Sequence, residues 1–266
     1  MEDRVRIDIA NGVADVRLNR PEKLNAIDKA MFTALNETGA ALGAEASLRA
    51  VVISGEGRGF CGGLDIESLM GDLESAKELL ARSDESPANF VQQAAWVWRE
   101  LPVPVIAAIH GAAYGAGLQV AMGADIRIVA PDARLSLREI QWGLVPDIAI
   151  SQTFRNLVAI DVAKELTFTG REVSGTEAHS LNLATYVDED PHARAMDLAL
   201  QIAAQSPEAV RAAKRLWNEA LNSPVEDALK LESELQAALI TGTNHSEAVM
   251  ANLAKEAPSF SDPKIS

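Results

Sequence analysis

The sequence predicts an α/β core of parallel strands followed by a C-terminal helical region. Three observations carry that prediction. Short β-branched apolar runs alternate with helical segments through the first part of the chain, as in strands joined by crossover helices. Two glycine-rich stretches, Phe60-Cys61-Gly62-Gly63-Leu64-Asp65-Ile66 and His110-Gly111-Ala112-Ala113-Tyr114-Gly115-Ala116-Gly117, each follow such a run. Each therefore reads as a turn at the carboxyl end of a strand. From Val162 onward Ala-, Leu-, Glu- and Lys-rich segments take over, with Pro191, Pro207 and Pro224 near helix starts. Residues 1–200 are assigned to the core and 201–266 to the helical region.

The elements follow in order. Val5, Ile7 and Ile9 alternate with Arg4, Arg6 and Asp8, the pattern of a strand with one apolar face. Asn11-Gly12 is a two-residue hairpin turn, and residues 13–19 are the partner strand. Asp28 is placed to cap a helix through Ala30, Phe32, Leu35 and Leu42, with Gly43 as its stop. Residues 49–54 and 103–109 read as buried strands, and 125–130 as another. Helices are expected over 75–82 and 89–101, joined by a polar loop at 83–87. A helix opens near Ala116, and residues 207–220 and 225–240 form further helices. The segment 71–90 is expected to shape a substrate pocket.

Composition narrows the function. With 266 residues, 48% hydrophobic and 23% charged, the chain suits one large domain, alone or with an appended helical piece. The net charge of −14 argues against a nucleic-acid surface, though not against a small anionic ligand. The four histidines lie far apart and lack metal-ligand spacing, so no metal is expected. The single cysteine, Cys61, fits a reducing compartment, and no apolar run approaches the ~18 residues that span a bilayer. The acidic N-terminus runs straight into a strand pattern, so a cytoplasmic protein without a signal peptide is expected.

Glycine lets a chain turn sharply and brings its N–H groups close to a ligand. Two converging turns would aim two backbone donors at one oxygen, as an oxyanion hole requires. A thioester carbonyl held there becomes an enolate when a neighbouring proton leaves, and fixed donors stabilise that charge more than the ground state. The donors are assigned to the N–H groups of Gly62 and Ala116, the second at the positive end of a helix. The plainer alternative is that these glycines only permit tight turns or close packing. Cys61 reads as a small buried thiol rather than a nucleophile, because no histidine is near in sequence. Tyr114 is either a hydrogen-bond donor in a substrate pocket or a core residue.

Arg20-Pro21-Glu22-Lys23-Leu24-Asn25-Ala26, then 60–66, then Pro104-Val105-Ile106-Ala107-Ala108-Ile109-His110-Gly111 and Gly115-Ala116-Gly117, resemble in order and spacing the signatures of the crotonase (enoyl-CoA hydratase/isomerase) superfamily. The resemblance implies an α/β, crotonase-like spiral of ββα units. It also implies a homo-trimer or dimer of trimers built through the C-terminal helices. No permanently bound cofactor is implied; a coenzyme A thioester is the substrate. Lys23 resembles the residue that meets the phosphates, its alternative being a solvated lysine. Leu24, Ala26, Gly63, Leu64, Asp65, Ile66, Tyr114 and Gly115 would line the acyl-CoA path with Gly62 and Ala116. The tail departs from the family: Lys255 is followed by Glu256, and Asn252 stands where a phenylalanine is expected.

The reaction depends on carboxylates. Family hydratases hold one water between two glutamates. The position of the first, two residues after Gly-Ala-Gly, is Gln119, and the second matches Glu139. An amide can hydrogen-bond a water or the substrate but exchanges no proton near neutral pH. Asp147, eight residues after Glu139, is spaced as in dienoyl-CoA isomerases, which usually carry an acid at 119 as well. Two carboxylates in one apolar pocket separate in pKa and can donate and accept in turn. The expectation is that Glu139 and Asp147 shuttle a proton while Gly62 and Ala116 hold the enolate. Asp147 could instead cap a helix beginning near Ile148. Hydration and non-catalytic acyl-CoA binding are the alternatives, the latter favoured by Gln119.

Overall fold

The chain opens with strand β1 (Val5–Ala10), which turns at Asn11-Gly12 into antiparallel β2 (Val13–Leu18). Both turn residues have positive φ, 54° and 76°, matching the right-handed twist of a two-residue hairpin. The computed structural model describes residues 4–70, 77, 79–82 and 86–263. The helix expected over 75–82 does not reach its predicted end: 79–80 form a turn and 81–82 are irregular, while 75, 76 and 78 lie outside the described residues, as do 83–85 of the expected loop and half of the pocket-shaping segment 71–90.

Helix α1 (Lys29–Gly43) starts where expected, with the Asp28 carboxylate accepting from Met31 N–H. It ends differently: Gly43 is still helical and Ala44 caps in right-handed geometry. Strand β3 (Ala50–Gly55) leads to the short helix α2 (Ile66–Met70). Helix α3 (Phe90–Glu100) begins with a reciprocal capping box between Asn89 and Gln92. Next come β4 (Val105–Ile109), β5 (Ala112–Tyr114) and helix α4 (Ala116–Met122). After them come β6 (Ile126–Val129), β7 (Arg134–Ser136), the short helices α5 (Ile150–Thr153) and α6 (Ile160–Thr169), β8 (Val173–Ser174), α7 (Gly175–Ser180) and β9 (Tyr186–Val187).

The six-stranded sheet runs β1-β2-β3-β4-β6-β9, parallel from β2 onward, and a three-stranded sheet runs β5-β7-β8. The chain passes from β4 in the large sheet to β5 in the small one across His110-Gly111, and again from β6 to β7. That repeated step is the spiral of ββα units. The central strands are covered on both faces. Val51 and Ile53 of β3 face the main core with Phe32, Leu35 and Trp98, whereas Ala50 and Val52 face Ala195 and Ala199 of α8 (Pro191–Ala203). This two-sided burial explains the unbroken apolar run. At the edge the expected strand forms, but its apolar face stays bare: Ile7 and Ile9 are 44% and 46% exposed, because no described element covers that face of β1.

The C-terminal region is helical, with α9 (Pro207–Ala220), α10 (Val225–Ile240) and α11 (Thr243–Ala254). Pro191 and Pro207 occupy first-turn positions, where their missing N–H is harmless. Lys214 anchors α9: its buried ammonium donates to Trp98 O (3.0 Å) and Val103 O (2.9 Å) and pairs with Asp125 (2.7 Å). The tail returns to the core through Arg49–Asp262 (2.6 Å).

Candidate functional site

The two glycine stretches lie side by side. Phe60 N–H donates to His110 O, Cys61 N–H to Ala112 O, and Tyr114 N–H to Cys61 O, each at 2.9 Å. Only small residues allow this approach. A Cβ on Gly117 would come within 2.5 Å of Cys61 Cβ. Gly63, at φ +95°, could carry a Cβ only 2.9 Å from Tyr114 O and 3.9 Å from the Ala116 nitrogen. Residues 23–26 wedge in from the other side. Leu24 and Asn25 are both left-handed (φ 52° and 54°). The buried Asn25 amide donates to Glu56 O, Gly59 O and Phe60 O and accepts from Arg20 N–H. Asn25 thus organises the first turn, a role missed in the sequence because the carbonyls it donates to lie more than thirty residues away.

Which amides remain open corrects the sequence reading. Gly62 N–H is engaged, donating to Leu24 O at 2.7 Å. Gly63 N–H faces the Cys61 sulfur at 3.5 Å. The N–H groups of Leu64 and Ala116 have no hydrogen-bond partner among the described residues. Ala116 is the first residue of α4, where helix geometry leaves amides unpaired. Leu64 and Ala116 are therefore among the open amides of the two turns, whereas Gly62 is not.

The other expected binding residues divide. Lys23 is exposed, its ammonium 3.4 Å from the exposed Glu67 carboxylate. Ala26 contributes its carbonyl to Arg20 (3.0 Å). The Asp65 carboxylate is buried against Arg20 (2.8 Å) and accepts from Ser68 N–H (3.3 Å) at the start of α2. Burial pushes its pKa up, but the hydrogen bonds to Arg20 and Ser68 outweigh this and hold it below the usual range. The Asp65 side chain therefore fixes the loop that carries Leu64 and Ile66. Tyr114 does not offer its hydroxyl to a pocket: it donates to Glu172 at 3.0 Å, while the Arg138 guanidinium lies 3.6 Å over its ring and pairs with Glu172. Arg58, in the same loop as the first turn, is exposed and has no partner among the described residues; a lone arginine between two glycines gave no signal in the sequence.

Glu139 comes to the second turn. It opens a 3-10 turn at Glu139–Trp142 and is only 6% exposed. A Cβ on Gly115 would sit 2.9 Å from Glu139 Oε1, so the carboxylate packs directly over the residue before Ala116. Oε1 accepts from Gln119 Nε2 at 2.7 Å; Oε2 is buried without a partner among the described residues. Burial raises the Glu139 pKa, and the Asp147 charge adds to this against the hydrogen bonds to its own backbone and Gln119. Asp147 is exposed to solvent, yet neighbouring atoms desolvate its carboxyl enough to raise its pKa, against a hydrogen bond to its own backbone. It caps no helix: α5 starts at Ile150 after Ala149, with no side-chain cap.

Gln119 is fully buried, and its amide oxygen accepts from Ile148 N–H at 2.8 Å. Its amide is turned to the protein on both ends, so the expected contact with water or substrate is replaced by a bridge. Burial pushes the Cys61 thiol up to about 12, and its sulfur faces Asn25 O at 3.1 Å, as an inert core thiol would. Concavities of about 900 and 450 Å³ lie between α3, α4 and the C-terminal helices. Their linings contain neither the paired turns nor Glu139 or Asp147.

A mostly parallel sheet stepping repeatedly into a smaller second sheet, with helices between, is the crotonase-type α/β fold. The enoyl-CoA hydratase/isomerase family model matches residues 8–263, and the chain belongs to that family. It is similar to the mouse mitochondrial enoyl-CoA hydratase domain-containing protein 2, 31% identical over 94% of this chain and 84% of the relative. The mouse mitochondrial Δ(3,5)-Δ(2,4)-dienoyl-CoA isomerase is 33% identical over 76% of this chain and 64% of its own. An enoyl-CoA hydratase structure from Bacillus anthracis superposes with a TM-score of 0.89 at 28% identity, covering 97% and 98% of the two chains. No helix among the described residues is long and apolar enough to cross a membrane.

Proposed function

We propose that this protein moves a double bond along the acyl chain of an enoyl-CoA thioester through an enolate. The thioester oxygen sits between Leu64 N–H and Ala116 N–H. Glu139 takes a proton from the carbon beside the carbonyl, the electron pair moves onto the oxygen, and the two amides bind the resulting charge more tightly than the neutral ester. The enolate of a 3-enoyl chain spreads to the fourth carbon, where a proton delivered by Asp147 leaves the double bond conjugated with the carbonyl. Asp147 then recovers a proton from solvent or from Glu139.

The observation that carries this reading is the buried Glu139 Oε2, unpartnered among the described residues, on a carboxylate packed against Gly115 of the second turn. Water addition is the second reading, supported by the names of most relatives. The amide at 119 weighs against it, because a water held by a single carboxylate lacks its second proton-exchanging partner. Lys23, Arg58 and the backbone of 64–66 are assigned to the coenzyme A end. Trp217, Leu221, Val225, Met250 and Leu253 leave apolar surface on the C-terminal helices, which we assign to contact between subunits of a trimer. The single free thiol, Cys61, supports a reducing compartment, and we assign the protein to the cytoplasm.

Incubation in heavy water with enoyl-, dienoyl- and saturated acyl-CoA tests the scheme. Exchange beside the carbonyl and bond migration, both lost in Glu139→Gln, are expected. Binding without exchange on any thioester would leave only an inert acyl-CoA binder.

A further inference from the structure

We propose that Gln119 is a positioning residue that makes Oε2 the proton-transfer atom of Glu139 and ties that base to the loop carrying Asp147. The inference rests on the reading of Glu139 as the base and deepens it. Its ground is the direction of one buried amide. The Ile148 N–H can only donate, so the amide oxygen of Gln119 must face it, at 2.8 Å. The amide nitrogen is thereby turned to Glu139, and Glu139 Oε1 must accept, at 2.7 Å. An oxygen already accepting a short N–H bond is a poor seat for a proton. The proton taken from substrate therefore lands on Oε2, which is buried and unpartnered among the described residues.

A glutamate at 119 breaks this logic. Ionised, it would still accept from Ile148 N–H, but it would present a second acceptor to Glu139 Oε1, so the pair would have to share a proton. Glutamine keeps the bridge and removes the shared proton. The same side chain joins three parts of the site: α4, whose first amide is the open Ala116 N–H; the 3-10 turn that bears Glu139; and the 143–149 loop. Asp147 is the charged group on that loop that bears on Glu139. From the 3-10 turn's own flank, the Arg138 guanidinium is directed to the Tyr114 ring and Glu172. From α4, Gln119 itself is the polar side chain facing the base.

The test follows exchange of the protons beside the carbonyl of butyryl-CoA in heavy water as a function of pH, in wild type, Gln119→Met and Gln119→Glu. Gln119→Met fills the same space without the bridge. Its kcat is expected to fall about 10–100-fold through misplacement of the base. KM is expected to move less than about threefold, and the acid limb of kcat to shift upward because a donor favouring the carboxylate is gone. Gln119→Glu is expected to approach wild-type rates at low pH, where its protonated carboxyl mimics the amide, and to fall away as pH rises. Wild-type kcat with an unmoved acid limb in Gln119→Met, or a Gln119→Glu profile parallel to wild type, overturns the inference and leaves Glu139 as base untouched. A wild-type enzyme that exchanges nothing, or an undiminished Glu139→Gln, overturns both readings. If Gln119→Met unfolds early in a thermal scan, the Gln119→Glu profile carries the test alone.

Discussion

Replacing Gly115 with alanine perturbs the open amide and the base with one methyl group. Gly115 has φ +49° and ψ −119°, a region that L-residues occupy only under strain of about 1–3 kcal/mol. The new Cβ would also stand 2.9 Å from Glu139 Oε1, so the carboxylate must shift by a few tenths of an ångström or more. Gly115 N–H, bonded to Ser136 O at 2.8 Å, holds the turn on β7, so the strain falls on the turn itself. For a chain of this size about 1–3 kcal/mol corresponds to a fall in Tm of roughly 2–12 °C. The displaced base and amide are expected to lower the kcat of thioester proton exchange by about 10–100-fold, with binding of the thioester changed far less. Exchange kinetics by NMR, isothermal titration with butyryl-CoA and a thermal scan supply the three readouts. A Gly115→Ala protein that retains wild-type kcat would refute the placement of Glu139 against the second turn.

Other consequences can be measured directly. The raised Glu139 pKa means that the native state holds this proton to higher pH than the unfolded chain does, so its ionisation subtracts stability as pH rises from the unfolded towards the folded pKa. Glu139→Gln is therefore expected to raise Tm at pH 7 and to lose that advantage near pH 4; an equal Tm difference at both pH values would contradict the assignment. The acid limb of kcat/KM is expected above the ordinary glutamate range, because burial keeps the base protonated there. Cys61, with its thiol pushed up to about 12, is expected to resist iodoacetamide at pH 8 until the protein is unfolded. Lys214→Met removes a buried ammonium from Asp125 and two carbonyls and is expected to cost about 3 kcal/mol in denaturant unfolding. A loss under about 1 kcal/mol would show that α9 is held by its apolar contacts instead.

Local chemistry made much of the architecture legible in the sequence. The positive-φ Asn11-Gly12 turn, the Asp28 cap, the first-turn prolines and the glycines after each buried strand are decided by neighbours in the chain. Such features need no knowledge of the fold. Glu139 and the convergence of the two turns came from motif order and spacing, and the geometry brings them together.

What only the tertiary structure decided was the direction and availability of each polar group. Leu24, far back in the chain, engages Gly62 N–H, whereas Leu64 N–H has no partner among the described residues. Glu172 accepts the hydrogen bond of the Tyr114 hydroxyl. Ile148 orients the Gln119 amide, and through it selects one oxygen of Glu139. The bare edge of β1 belongs with these cases, since alternation shows that a face is apolar but not whether anything covers it. Sequence spacing places a residue on a turn, a strand or a helix. A hydrogen bond is satisfied only by the partner the fold delivers, and in this site those partners come from segments tens of residues apart.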